Sequence, residues 1–140
     1  MTPATSADGW RLVWTDFNEV HETVFRNREK ALEYLSLVHG QERRLRPVIE
    51  ILSEPTGFPS FSLAVGGDES VLTFEHSIDP PYFISLGDAA GTGPSPLFFH
   101  GGQGVDHLAR NLVPFAAAIE AAEEFLTTGE RPKCVDWEQL

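Results

Sequence analysis

The spacing of apolar residues changes several times along the chain. Trp10, Leu12 and Trp14 alternate with Arg11 and Val13, which predicts a first strand over Trp10–Phe17 whose pattern can run on through Val24 and Phe25. From Arg28 the period lengthens. Ala31, Leu35 and Val38 recur at i, i+4 and i+7 with Leu32 beside them, which predicts a helix over Arg28–Val38 with Asn27 as N-cap and Gly40 as its left-handed stop. Gln41 to Arg46 is a polar connection.

The period then returns to two. Pro47–Ser53 is apolar on both faces, as suits a central strand, and Pro55 to Pro59 is dense in turn residues. Phe61, Leu63 and Val65 alternate with Ser60, Ser62 and Ala64; Gly66-Gly67-Asp68 signals a hairpin; Leu72, Phe74 and His76 alternate with Val71, Thr73 and Glu75. Asp79-Pro80-Pro81 breaks that strand, Tyr82–Leu86 forms the next, Gly87–Pro96 is a small-residue loop, and Leu97–His100 is a further short strand. Local connections make this an antiparallel meander.

The second helix has the clearest pattern. Pro114 fits its first turn, and Phe115, Ala118, Ile119, Ala122, Phe125 and Leu126 make one apolar stripe, with Glu120, Glu123 and Glu124 on the other face. Gly129 ends it and Pro132 prevents its resumption, while Cys134/Asp136 alternating with Val135/Trp137 predict a last strand. The expected fold is α+β, one domain over residues 1–140, an antiparallel meander sheet with two helices packed on one face. Residues 1–46 supply a strand plus helix, 47–112 the meander, and 113–140 the helix and terminal strand.

Composition adds limits. With 41% apolar residues, including 3 Trp, 2 Tyr and 10 Phe, the chain can fill a core. No apolar run is long enough to span a bilayer, and MTPATSADGW lacks the regions of a secretory signal, so a cytoplasmic protein is expected. One cysteine, Cys134, excludes an internal disulfide and any multi-thiolate site.

Charge changes the picture more. The net charge of −11 argues against direct binding to nucleic acid or anionic membrane. Between Pro47 and Ala109 there is no Lys or Arg, against Glu50, Glu54, Asp68, Glu69, Glu75, Asp79, Asp88 and Asp106. An ordinary share of roughly a tenth would put about six basic residues there. Solubility accounts for many acidic proteins but requires no such exclusion, and the sharper reading is an anionic face for a basic protein partner.

The search for chemistry yields no catalytic constellation. His21, His39, His76, His100 and His107 form no HxH, HExxH or H-x(3–5)-H pattern. His39, in a last helical turn, suits the helix dipole as a cation, and His76 shares the face of Leu72 and Phe74 as a half-buried residue. Gly101-Gly102-Gln103-Gly104 lacks the Lys-Ser/Thr of a phosphate loop and reads as a turn. Asp106-His107 has no G-x-S-x-G serine to serve, and the lone Cys134 reads as buried and inert. No cofactor and no metal site are expected.

Several segments of the second half carry a resemblance. They are Gly57-Phe58-Pro59 before an alternating strand, YFISLGD (Tyr82 to Asp88) before a Gly/Ser loop, Val113-Pro114 opening a Glu/Ala helix, and the ending AAEEFLTTGERPKCVDWEQL. Over Val48 to Leu140, and most specifically at Thr128-Gly129, Pro132, Val135 and Trp137, the chain resembles the first-described immunity-protein family of bacterial polymorphic toxin systems. The resemblance implies a non-enzymatic protein that binds one cognate toxin in the producer's cytoplasm and blocks its active site. Such toxins act largely on nucleic acids, deaminases being a prominent class, and the zinc of a deaminase would belong to the partner. A cleft that holds nucleic acid is basic, which agrees with the charge argument.

The expected contact surface is the acidic set Glu54, Asp68, Glu69, Glu75, Asp79, Asp88 and Asp106, with Tyr82 and Phe99 as aromatic anchors. The competing reading is a small-molecule-binding or enzymatic domain using His76, His100 or His107 in a pocket lined by Tyr82 and Phe98. Monomer and homodimer are both open.

Overall fold

The computed structural model describes residues 5–93 and 95–140. The first four residues and Pro94, within the expected Gly87–Pro96 loop, lie outside the described residues. In chain order the elements are β1 (Thr5–Thr15), β2 (Val20–Asn27), α1 (Arg28–Gln41), β3 (Val48–Ser53), β4 (Ser60–Ala64), β5 (Glu69–Ser70), β6 (Leu72–Glu75), β7 (Tyr82–Leu86), β8 (Phe98–His100), β9 (Gln103–Val105), a 3₁₀ turn (Ala109–Asn111), β10 (Val113–Pro114), α2 (Phe115–Thr128) and β11 (Asp136–Gln139). Seven strands form an antiparallel sheet in the order β11-β7-β6-β4-β3-β1-β2, so the α+β meander holds.

The period-2 segments form the sheet because each strand has one face to bury. Leu12, Ile49, Ile51, Phe61, Leu63, Leu72 and Phe74 lie on that face, fully or almost fully buried. Ala31, Leu35 and Val38 of α1 and Ala118, Ala121, Ala122, Phe125 and Leu126 of α2 cover it in the same cluster, so both helices share one face. Polar contacts fix their positions. Trp14 Nε1 donates to Tyr34 Oη at 2.8 Å, and Arg28 donates to Thr127 Oγ1 at 2.7 Å. Val48, Ala64, Val71, Ile84 and Phe98 make a smaller cluster on the opposite face, which gives Pro47–Ser53 its two apolar sides.

Several boundaries differ from expectation. The run toward Phe25 is a separate strand, β2, because Asp16 makes a turn: its Oδ1 accepts the Asn18 and Glu19 N–H groups at 2.7 and 2.9 Å. Within the expected 1–46 unit, the described residues from 5 onward therefore contribute a hairpin and a helix. Asn27 caps α1, accepting from Lys30 N–H, but the helix runs past Gly40 to Gln41. Pro114 precedes α2 as its N-cap residue, since its ψ of 147° is extended; Gly129 ends the helix with φ 71°, as expected. Leu97–His100 does not join the main sheet. β8 pairs with β9 across a Gly101-Gly102 turn, both glycines with positive φ, so that glycine run is a hairpin turn.

Candidate protein-binding face

The sheet face away from the helices is read directly from the strand register. One row across it is Val24, Arg11, Leu52, Ser60, Glu75 and Tyr82. The next is Glu22, Val13, Glu50, Ser62, Thr73, Ile84 and Glu138. Directly opposed residues share a face, so these side chains form one surface, open except where Ser62 and Ile84 are buried. Its centre is a shallow depression of about 220 Å³ lined by Glu50, Ser60, Ser62, Thr73, Glu75 and His100. β3, β4, β6 and β7 bring no Lys or Arg to it, because all four lie within the cation-free stretch.

The carboxylates differ in what they meet. Glu50 Oε1 lies 2.9 Å from His100 Nε2, and Glu54 is held by Arg11 at 2.6 Å, which offsets its charge. Glu75 forms no ion pair among the described residues. Glu138 accepts from Asn111 and Arg110, which hold its carboxyl below the ordinary range, the asparagine contact first.

Of the expected contact residues, Glu75 and Tyr82 are neighbours on this face, with Glu54 just beyond the end of β3. The Tyr82 hydroxyl donates to the Ile78 carbonyl and so fastens the loop that carries the exposed Asp79. The others lie elsewhere. Asp68 sits on the exposed β4–β5 turn, 3.6 Å from Arg43, Glu69 opens β5 opposite Pro114, and Asp88 caps its own turn through Ala90 N–H. Asp106 is exposed beyond β9.

Phe99 belongs to a different surface. Its ring lies 4.8 Å from that of Phe17, in a cavity of about 810 Å³ that Arg43, Arg44, Arg46 and Leu97 also line. This cavity is aromatic and mixed in charge, since Asp16 and Glu42 also line it.

Residue types alone missed Glu22, Glu50 and Glu138, and placed His100 in a pocket with Tyr82 and Phe98 instead of beside Glu50. The signal for Glu50 lay in the period: flanked by buried Ile49 and Ile51, it must point to the opposite face.

His21, His39 and His76 lie apart, while His100 and His107 are close enough to interact. His76 is exposed beyond β6, beside Phe83, Arg131 and Trp137, rather than half-buried with Leu72 and Phe74. His100 lies over Glu50, and His107 packs on Phe98, where burial first and His100 second lower its pKa. His39 stacks on Phe115 with ring centroids 3.5 Å apart, and its Nδ1 accepts the Gly66 N–H at 2.7 Å. It therefore works as a neutral acceptor, its pKa lowered by burial and then by Arg43, and not as a helix-dipole cation.

Two other groups bear on chemistry. Asp16, Glu19 and His21 offer ligand atoms within 4.8 Å of one another, the one such trio among the described residues. The hairpin turn already uses them: Asp16 accepts two backbone N–H groups and contacts His21 at 2.8 Å, and His21 stacks on Trp14. Cys134 is exposed, against expectation. Local desolvation and then the Glu124 carboxylate push its thiol up to about 11, far from thiolate reactivity at neutral pH.

The sheet thus has one face covered by the two helices and one that carries Glu22, Glu50, Glu75 and Glu138. A family model described as immunity protein Imm1 matches residues 17–139, and the chain belongs to that family of immunity proteins of toxin systems. The match begins earlier than the resemblance read from Val48 onward and takes in the β1–β2 turn, β2 and α1. The chain matches none of the curated proteins with which it was compared. Among the described residues no helix is long and apolar enough to cross a membrane.

Proposed function

We propose that this immunity protein binds a cognate toxin that acts on nucleic acid, deaminase-type toxins being the leading class, and occludes its basic cleft with the open sheet face. The observation that carries the reading is the exclusion of Lys and Arg from the four strands at the centre of that face, where Glu50 and Glu75 stand beside hydroxyl side chains. A cleft that attracts phosphates attracts these carboxylates for the same reason, and complementary potential raises the encounter rate. Tyr82, at the end of the Glu75 row, supplies an aromatic contact, and Asp79 extends the acidic edge. Inhibition is by binding, in the cytoplasm of the producer cell. The chain needs no cofactor for it, and any catalytic zinc belongs to the toxin.

Titrating the cognate toxin's activity with a Glu50→Lys, Glu75→Lys, Asp79→Lys variant tests the reading. The triple reversal is expected to lose stoichiometric inhibition, while Glu120→Lys with Glu123→Lys on the exposed face of α2 retains it. Retained inhibition by the sheet variant, with loss in the helix variant, moves the interface to α2.

A further inference from the structure

The two edges of the sheet are unequal. β11 closes one side with four residues, two of them the acids Asp136 and Glu138. β2 closes the other with eight, VHETVFRN, and no strand among the described residues pairs with its outer side. Long, flat edges invite pairing, and proteins blunt them with proline, lysine or a bulge. β2 has no proline or lysine, and the register irregularity of the hairpin lies in β1, between Thr5 and Trp10. Its open-face positions include Val20 and Val24, 59% and 52% exposed.

The same positions are self-complementary. An antiparallel pair of β2 strands with its two-fold axis at Val24 sets Val24 against Val24. It also sets Glu22 directly opposite Arg26 of the second copy, twice over. Both charges are available. Arg26 makes no ion pair among the described residues, and Glu22 has only Arg11 at 3.8 Å. Shifting the register by one residue loses this match, so charge selects a single alignment.

We propose that β2 is the seam of a symmetric homodimer, in which the sheets of two copies join edge to edge and their open faces become one surface. The occupant of the edge is a second copy of this chain, because a strand carrying an acid two residues before Val24 and a base two residues after it is matched by its own reverse.

Sedimentation velocity of the full chain tests this. The wild type is expected to sediment as a species of twice the 15.5 kDa chain mass. Val24→Lys, which sets two cations on the axis, should give monomer with an unchanged circular dichroism spectrum. Glu22→Arg or Arg26→Glu alone should raise the dimer dissociation constant roughly tenfold, since two attractions become two repulsions. The double variant E22R/R26E should restore it. A monomeric wild type overturns the proposal, as does a dimer indifferent to all four variants. A chain that is monomeric alone, but whose toxin binding is abolished by Val24→Lys, overturns it too and assigns the edge to a strand of the toxin.

Discussion

Phe125 illustrates how one position joins pattern to packing. It is fully buried, stacked on Phe61 at 5.4 Å between centroids and edge-on to Phe74 at 6.1 Å, so it links α2 to β4 and β6. Phe125→Ala is expected to cost about 3–5 kcal/mol in urea denaturation, because it removes buried area and leaves a cavity between layers. His39 is the converse, a residue whose neighbourhood the sequence concealed. Its position in a last helical turn suggests a charge, yet Gly66, distant in sequence, donates to Nδ1 and so requires a neutral ring, which stacks on Phe115. Its folded pKa lies below the ordinary 6.5, so its contribution to stability is complete above that value and is lost as pH falls below it. His107 acts in the same direction. The melting temperature should therefore fall between about pH 7 and about pH 5. His39→Gln should flatten part of that fall; an unchanged profile would place the titration elsewhere. Asp16, held at about 2 first by His21 and then by backbone N–H groups, adds a separate loss of stability below its ordinary 3.8.

Among the elements, the strands and helices with one buried face were legible from spacing alone: β3, β4, β6, β7, α1 and α2 all fall where the period placed them. β2 was not. Its side chains alternate exposed and half-buried because it is an edge, so no strong apolar rhythm marks it. β8 was legible as a strand but not in its pairing, which its Gly-Gly turn to β9 decides. Two junctions make specific claims. Gly66 has φ +93°, and a Cβ there would lie 2.2 Å from the Glu42 carbonyl oxygen. Gly66→Ala should cost at least about 2 kcal/mol by strain and collision, measurable as a lowered denaturation midpoint. Buried Asn111 donates to the Ser85 carbonyl and to Glu138, joining β7 to β11. Asn111→Ala should cost about 1–3 kcal/mol for the groups left unpaired. It should also return the Glu138 carboxyl toward its ordinary range in an NMR titration.

For the molecule as a whole, charge segregation in the sequence became a surface through the sheet register. The cation-free stretch was visible at once, but which of its acids meet was not. Glu75 and Tyr82 are cross-strand neighbours, whereas Glu69 pairs with Pro114 in a separate two-stranded sheet and Asp68, Asp88 and Asp106 occupy turns and loops. Arg11, from outside that stretch, reaches Glu54 and offsets it, a pairing 43 residues apart that no local pattern reports. The acidic centre is thus Glu50 and Glu75, while the arginines at positions 43, 44 and 46 line a separate cavity. The association rate constant with the cognate toxin, measured by stopped flow from low to high salt, tests this most directly. For the wild type it should fall steeply as salt rises, and Glu50→Lys with Glu75→Lys should slow it at low salt and flatten its salt dependence. A rate that is the same for both proteins at every salt concentration would contradict the account.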